Sequence, residues 1–152
     1  IEEHTGWNEF DFQSIVYALL KVRPDLKPTT NQPKEFFSLL KKAMLAWSNQ
    51  ELTTPLPETW ADFECRVNEA LHFSKQIKHS NHIVVVSSGG SISMALKNIL
   101  KLENTSMIDL NLQTRNTSIS EIFFSNNRGH MCSFNTLPHL DTNERRGLIT
   151  YS

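Results

Sequence analysis

One short stretch of the sequence constrains the fold more than any other, because it joins an apolar β-branched run directly to a glycine pair. The run Ile83–Ser87 contains three consecutive valines and no alternating polar residue. This pattern is typical of a central parallel strand covered on both faces. Ser88–Gly90 follows at once, and apolar residues then recur at helical spacing. The sequence therefore predicts a strand, a tight turn and a helix over residues 83–102, with Ser91 as the helix cap.

Helices are predicted before this unit, and mainly strands after it. Helices followed by a buried strand and a further helix indicate an α/β layer fold. The apolar periodicity and the prolines predict helices over Asp11–Val22, from Pro33 to near Ser48, from Trp60 to about Lys78 and over Met107–Leu112, a hairpin of Ser118–Ser125 with His130–Asn135, and an edge strand at Leu148–Tyr151.

The composition limits the class of protein. Hydrophobic residues make up 39% of the 152 residues and charged residues 20%, so the chain can bury a core and fits a single domain, 1–152. Lys and Arg number 15 and Asp and Glu 16, a formal charge of -1, without a basic stripe. We therefore expect neither nucleic acid nor a membrane as a partner. No apolar run comes near the roughly 20 residues of a membrane helix, and we expect a cytoplasmic protein.

The two cysteines, Cys65 and Cys132, lie far apart in the sequence and form no Cys-x-x-Cys motif. We expect both to be free, buried thiols in a reducing compartment. The six histidines show no spacing typical of a metal site. We therefore expect no metal and no cofactor.

The turn at Ser88 predicts an anion-binding site. A helix that starts directly after a strand aims several backbone N–H groups and the positive end of its dipole at one point. A side chain at Gly89 or Gly90 would block the close approach of a phosphate oxygen. The turn matches neither the Walker loop nor the dinucleotide-binding Gly-x-Gly-x-x-Gly motif. It is also compatible with a purely steric role for the glycines.

A serine hydrolase is a second interpretation of the same turn. Ser88 would be the nucleophile, His139 the base, and Asp141 or Asp109 the residue that orients the base. The nucleophile elbow of such enzymes needs a small residue before the serine, and here Ser87 stands where that motif has glycine. The sequence therefore favours anion binding.

Carboxylates crowd the stretch before the first helix. Glu2, Glu3, Glu9 and Asp11 lie beside two aromatic residues, whose burial could raise a carboxyl pKa and create a group for acid-base work. The alternative is a helix amino terminus with an acidic bias and Asp11 as its cap. The pattern alone leaves both interpretations open.

Several short motifs follow one another along the chain: Trp7–Asp11, Val84–Gly90, Asn116–Ser120, Phe134–Asn135 and Pro138–Leu140. With these motifs in this order, the sequence resembles the histidine phosphatase superfamily, which has the phosphoglycerate-mutase-like fold. That resemblance implies a three-layer α/β/α domain.

The resemblance implies a phosphomonoester phosphatase or mutase that acts on a small phosphorylated substrate. A histidine is phosphorylated in such enzymes, and arginines and a second histidine hold the phosphoryl oxygens. Glu9 would donate the proton to the leaving oxygen, with Glu2 or Glu3 as alternates. Ser88, Gly89 and Gly90 would bind phosphate, and His139 would lend an imidazole.

The chain also departs from the family pattern. It contains no Arg-His-Gly triplet, and Ser88 stands where the family has its second histidine. Because the sequence starts at Ile1, we expect a domain incomplete at its amino end, whose nucleophile lies upstream. Residues 25–57 would form a helical insert or cap, and a homodimer is one expected assembly. The alternative is a non-catalytic module that binds a phosphorylated ligand.

Overall fold

The computed structural model describes residues 2–30, 32–77, 80–126 and 128–151. The described chain contains both α-helices and a two-stranded antiparallel sheet, which confirms the expected mixed α/β class. None of the described helices is long and apolar enough to cross a membrane. The elements are α1 (Phe12–Val22), α2 (Pro33–Ser48), α3 (Trp60–Gln76), α4 (Gly89–Leu100), α5 (Asn104–Gln113), β1 (Ile119–Ser125) and β2 (Arg128–Thr136), with 3₁₀ turns at Thr5–Trp7, Pro24–Leu26 and Arg146–Leu148.

Local signals place the starts of the first three helices where the sequence predicts them. Asp11 caps α1 by accepting a hydrogen bond from the Ser14 amide. Pro33 opens α2, where its missing N–H costs no hydrogen bond. A reciprocal capping box of Thr59 and Asp62 opens α3. The predicted end of α3 near Lys78 lies outside the described residues.

The helices enclose one aromatic core. Trp47 of α2 stacks on Phe63 of α3 with 5.7 Å between the ring centroids. Trp60 packs on Trp47 in a T-shaped arrangement with 5.1 Å between the ring centroids. Phe10, from the loop before α1, lies 5.4 Å from both Trp47 and Phe63. Because α2 supplies Trp47, the segment predicted as a helical insert shares the common core. Its role as a cap stays a prediction.

The predicted hairpin is confirmed as β1 and β2, which pair with Phe123 opposite His130. The predicted edge strand at Leu148–Tyr151 is wrong. Leu148 ends a 3₁₀ turn, and Tyr151 forms only an isolated bridge to Arg115. Asn116 holds this end of the chain instead, because its side-chain amide donates to the Thr150 hydroxyl and the Tyr151 carbonyl.

The predicted central strand differs from the structure. Residues 82–88 have no regular secondary structure and no ladder partner within the described ranges. Val84 is 85% exposed and Val86 90% exposed, so the run is not covered on both faces. The expectation of a paired, buried strand is therefore wrong for the described chain, because no described strand lies beside the run.

The expectation of buried thiols is also wrong. Both cysteines are free, as expected, but both are exposed. Cys65 lies on the outer side of α3, and Cys132 lies in the exposed part of β2.

Two glycines give a matched test of the packing before α1. A Cβ at Gly6 would lie 2.6 Å from the Arg66 carbonyl oxygen and 2.8 Å from the Ala70 Cβ, both on α3. Gly147 has no atom within 4 Å of that position. We expect Gly6→Ala to lower the free energy of unfolding by about 1–3 kcal/mol and Gly147→Ala to leave it nearly unchanged, as measured by urea denaturation. Equal stability of the two variants would show that the loop does not pack on α3.

Candidate functional site

The loop of residues 6–10 lies against the amino end of α4. The Ser87 hydroxyl donates to the Trp7 carbonyl at 2.7 Å, and the fully buried Ser91 hydroxyl donates to the Asn8 carbonyl at 2.6 Å. The prediction that Ser91 caps α4 is therefore wrong. Ser88 occupies the N-cap position and makes no side-chain capping bond, while Gly89 and Gly90 form the first turn. The two neighbouring serines instead fasten the loop to the helix.

Arg66 of α3 fastens the same loop from the other side. Its Nη1 donates to the carbonyls of Gly6 and Asn8 at 3.2 and 2.7 Å. Its Nε and Nη2 donate to the Glu58 carboxylate, each at 2.7 Å. The guanidinium also lies 4.7 Å from the centre of the Phe63 ring. One planar, fork-shaped donor thus ties the loop to α3.

Glu9 directly follows the loop residues that the two serines and Arg66 hold in place. The Gly90 N–H donates to Glu9 Oε2 at 2.9 Å, and the Phe10 N–H donates to Oε1 at 3.0 Å. A Cβ at Gly90 would lie 2.1 Å from Glu9 Oε1 and 2.5 Å from Phe10 Cε1. Position 90 therefore needs glycine because any Cβ there would overlap the side chains of Glu9 and Phe10 in the loop. The turn does present an amide to an anion, and here the anion is the Glu9 carboxylate.

The surroundings of Glu9 shift its protonation. Burial of the carboxylate raises the pKa of Glu9 above the ordinary glutamate value. The hydrogen bonds from Gly90 and Phe10, and the charge of Arg66, lower the pKa less than burial raises it. The residue as a whole is nevertheless exposed to solvent, so the burial concerns the carboxylate that faces Gly90 and Phe10. Glu9 can therefore hold a proton at a higher pH than an ordinary glutamate and exchange it with a ligand.

Ser88 and Gly89 lie with Glu9 at one wall of a groove of about 910 Å³. Residues 81–88 and the start of α4 at Gly89 form this wall, and residues 114–122 form the other. Arg115 is a lining residue that the sequence reasoning missed, although it directly precedes the Asn116–Ser120 motif. Its backbone N–H donates to Asn135 Oδ1 at 2.9 Å, and its guanidinium donates to the Asn135 carbonyl. The lining of the groove thus includes a carboxyl group, a hydroxyl and a guanidinium.

The other predicted residues are not brought together with Ser88. The His139 ring Nε2 lies 2.9 Å from the Thr117 hydroxyl, and His139 is not among the described residues that line the groove. Asp141 pairs with Arg146 at 2.9 Å, and Asp109 pairs with Lys41 at 2.5 Å. No described contact therefore links Ser88 to the histidine and aspartate that a serine hydrolase would need.

Comparison with known proteins places the chain in a family. The family model of the histidine phosphatase superfamily (branch 1) matches residues 28–137. The chain belongs to that superfamily. Searches of curated proteins and of solved structures gave no match. Ser88–Gly90 and Arg115 lie inside the matched range, whereas Glu9 and His139 lie outside it.

The raised pKa of Glu9 has a consequence for stability. Between the ordinary glutamate pKa and the raised pKa, the folded state binds more protons than the unfolded state, so stability falls as the pH rises. Glu9→Gln removes this dependence. We expect the unfolding free energy of the parent protein to fall relative to Glu9→Gln as the pH rises from 4 to 7, as measured by urea denaturation at each pH.

Asp11 provides a control of opposite sign. The Ser14 hydroxyl and amide lower the pKa of Asp11, so its contribution to stability is present above the ordinary aspartate pKa and is lost as the pH falls through the lowered value. The parent protein should therefore gain stability relative to Asp11→Asn as the pH rises from 2 to 4. A pH-independent difference between the parent and Glu9→Gln would contradict the placement of Glu9.

Proposed function

We propose that this chain is part of a phosphomonoester phosphatase or mutase of the histidine phosphatase type, with its phosphate site in the groove at the amino end of α4. Membership of the superfamily supports the class of reaction. The observation that carries the choice of site is the Glu9 carboxylate, held by the Gly90 amide at 2.9 Å with a raised pKa. An anion already binds at this helix end, and a group able to carry a proton lies there.

In the proposed reaction, the Glu9 carboxyl gives its proton to the leaving oxygen as the P–O bond breaks. Burial favours the protonated acid that this role needs. The Ser88 hydroxyl and the amides of Gly89 and Gly90 donate hydrogen bonds to the phosphoryl oxygens. The Gly90 amide is released to the phosphate when Glu9 is neutral, because a neutral carboxyl is the weaker acceptor.

The nucleophile in this proposal is a histidine on a strand outside these 152 residues. The support for a further strand is the β-branched run 82–88, which has no ladder partner among the described residues and exposes Val84 and Val86. Exposed apolar backbone of this kind is a template for strand pairing. A strand ending in Arg-His-Gly that pairs with this run would place a histidine beside Ser88 and add an arginine to the groove.

A non-catalytic phospho-ligand module is the second candidate. The observation that favours it is Ser88, whose hydroxyl carries no charge where the family has an imidazole. The groove therefore has one charged phosphate ligand fewer than the family pattern, and the stabilisation of a developing phosphoryl charge depends on such ligands. A site of this kind can still bind a phosphate through hydrogen bonds.

Hydrolysis of an aryl phosphate separates the two candidates. We expect turnover only in a chain extended upstream, and a fall in kcat on the order of 10²–10⁴-fold in its Glu9→Gln variant, as for loss of a general acid. Glu2→Gln and Glu3→Gln in the same extended chain are the matched controls, because these two alternates for the proton donor do not line the groove, whereas Glu9 does. These controls should keep the parent kcat.

Three other results would decide against catalysis by this route. If neither the 152-residue chain nor the extended chain is active, but phosphate still shifts the amide resonances of Gly89 and Gly90, the result would favour the binding module. If the 152-residue chain turns over the aryl phosphate and Ser88→Ala abolishes that turnover, the nucleophile is instead a serine. An unchanged kcat in Glu9→Gln would remove Glu9 from the mechanism.

A further inference from the structure

A second cleft lies at the carboxyl end of α4. It has a volume of about 870 Å³ and lies between the last turns of α3, the last turn of α4 and the tip of the hairpin. Since α4 has 12 residues, the cleft is about 18 Å along the helix from Ser88. None of its described lining residues also lines the groove. The side chains that line it include Lys75, Lys101, Arg128 and His130, and the amides of Asn68, Asn98 and Asn126.

The charge of this cleft is one-sided. No Asp or Glu is among its described lining residues. Lys101 and Arg128 form no ion pair with any described residue, and Lys75 lies 4.5 Å from the centre of the Phe124 ring. By contrast, Lys97, one turn earlier on α4, pairs with Glu64. Three positively charged side chains therefore line one cleft, with no carboxylate partner among the described residues, in a chain whose formal charge is -1.

The helix dipoles account for only part of this charge. The carboxyl ends of α3 and α4 meet at the cleft, and each carries roughly half a negative charge. The two ends together offset about one of the three positive charges, which leaves about two. A doubly charged anion would balance the remainder.

The walls of the cleft are held together by close packing. Gly129 at the hairpin tip lies against α4, so that a Cβ there would be 2.4 Å from the Ile99 Cγ2 and 3.0 Å from the Phe124 Cε1. The hairpin tip and α4 therefore meet directly, which fixes Arg128 relative to Lys101. Asn98 lies in the same wall, and its Nδ2 is buried without a hydrogen-bond partner among the described residues.

We propose that this cleft binds the dianionic phosphate group of a small molecule, as a site separate from the groove. Its volume is in the range of small-ligand pockets. Its cationic side chains and side-chain amides suit the oxygens of a phosphate group, and the Phe124 ring beside Lys75 offers an apolar face to an organic substituent. The inference does not depend on the proposed catalysis.

Titration of the 152-residue chain with inorganic phosphate, and separately with phenyl phosphate, tests this site by amide NMR at pH 8 and constant ionic strength. We expect saturable shifts at the amides of Lys75, Lys101 and Gly129. The double variant Lys101→Gln/Arg128→Gln should raise the Kd by about tenfold or more, because two cations near a dianion are lost. Resonances of Gly89 and Gly90 report the groove separately in the same spectra.

The matched control is Lys34→Gln/Lys42→Gln, which removes two exposed charges of α2 that do not line the cleft. It should keep the parent Kd. Tighter binding of phenyl phosphate would assign the site to an organic phosphomonoester, and equal or weaker binding would assign it to inorganic phosphate.

Several results would overturn the proposal. The absence of shifts at the cleft, equal shifts with chloride, or shifts at Gly89 and Gly90 alone would each show that the cleft is not a phosphate site. An equal loss of affinity in both double variants would show a nonspecific effect of net charge.

Discussion

The hydrogen bond from the Gly90 amide to the Glu9 carboxylate is the contact on which the candidate site depends. It satisfies a backbone donor in the first turn of α4 and places a carboxyl group at the positive end of the helix dipole. Arg66 and Ser91 secure this contact, because each bonds a carbonyl of the loop that precedes Glu9. Loss of the contact would leave the Gly90 amide without this acceptor and release the Glu9 carboxyl group from the turn, although Ser87 and Ser91 would still hold the loop.

The side chains that lie at the two ends of α4 carry opposite charges. The amino end faces the Glu9 carboxylate, and the carboxyl end faces the cleft that Lys101 and Arg128 line. Both arrangements complement the helix dipole. They differ in balance, since one carboxylate is matched to the amino end, whereas the cations at the carboxyl end exceed what two helix ends offset. The excess of positive charge at the carboxyl end is the reason for which we propose a ligand there, whereas the amino end is already balanced by Glu9.

Local features of the sequence were enough to predict the helices. The Asp11 cap, the Pro33 start and the Thr59–Asp62 capping box each act within one helical turn, so their effect can be seen in the sequence itself. The hairpin followed from two β-rich runs close in sequence. The cap of α4 was assigned wrongly because Ser88 and Ser91 are equally suitable residues, and only the distant Asn8 carbonyl decides that Ser91 serves the loop.

The parts of the site that the sequence did not predict depend on distant contacts. Glu9 was expected near phosphate through a family resemblance, but its bond to an amide 81 positions away follows from the packing of Phe10 and Arg66. The exposure of Val84 and Val86 could not be predicted either, since a β-branched run does not indicate whether a partner strand is present. The basic cleft combines residues from two helices and a hairpin, and no sequence window contains them together.

The pH dependence of the Gly90 amide proton is the most direct measurement of the central contact. Because this proton is hydrogen-bonded to Glu9 Oε2, its chemical shift should follow the ionisation of Glu9, with a midpoint above the ordinary glutamate pKa. The transition should disappear in Glu9→Ala. A Gly90 resonance that does not titrate between pH 4 and 7, or that titrates unchanged in the variant, would contradict the account.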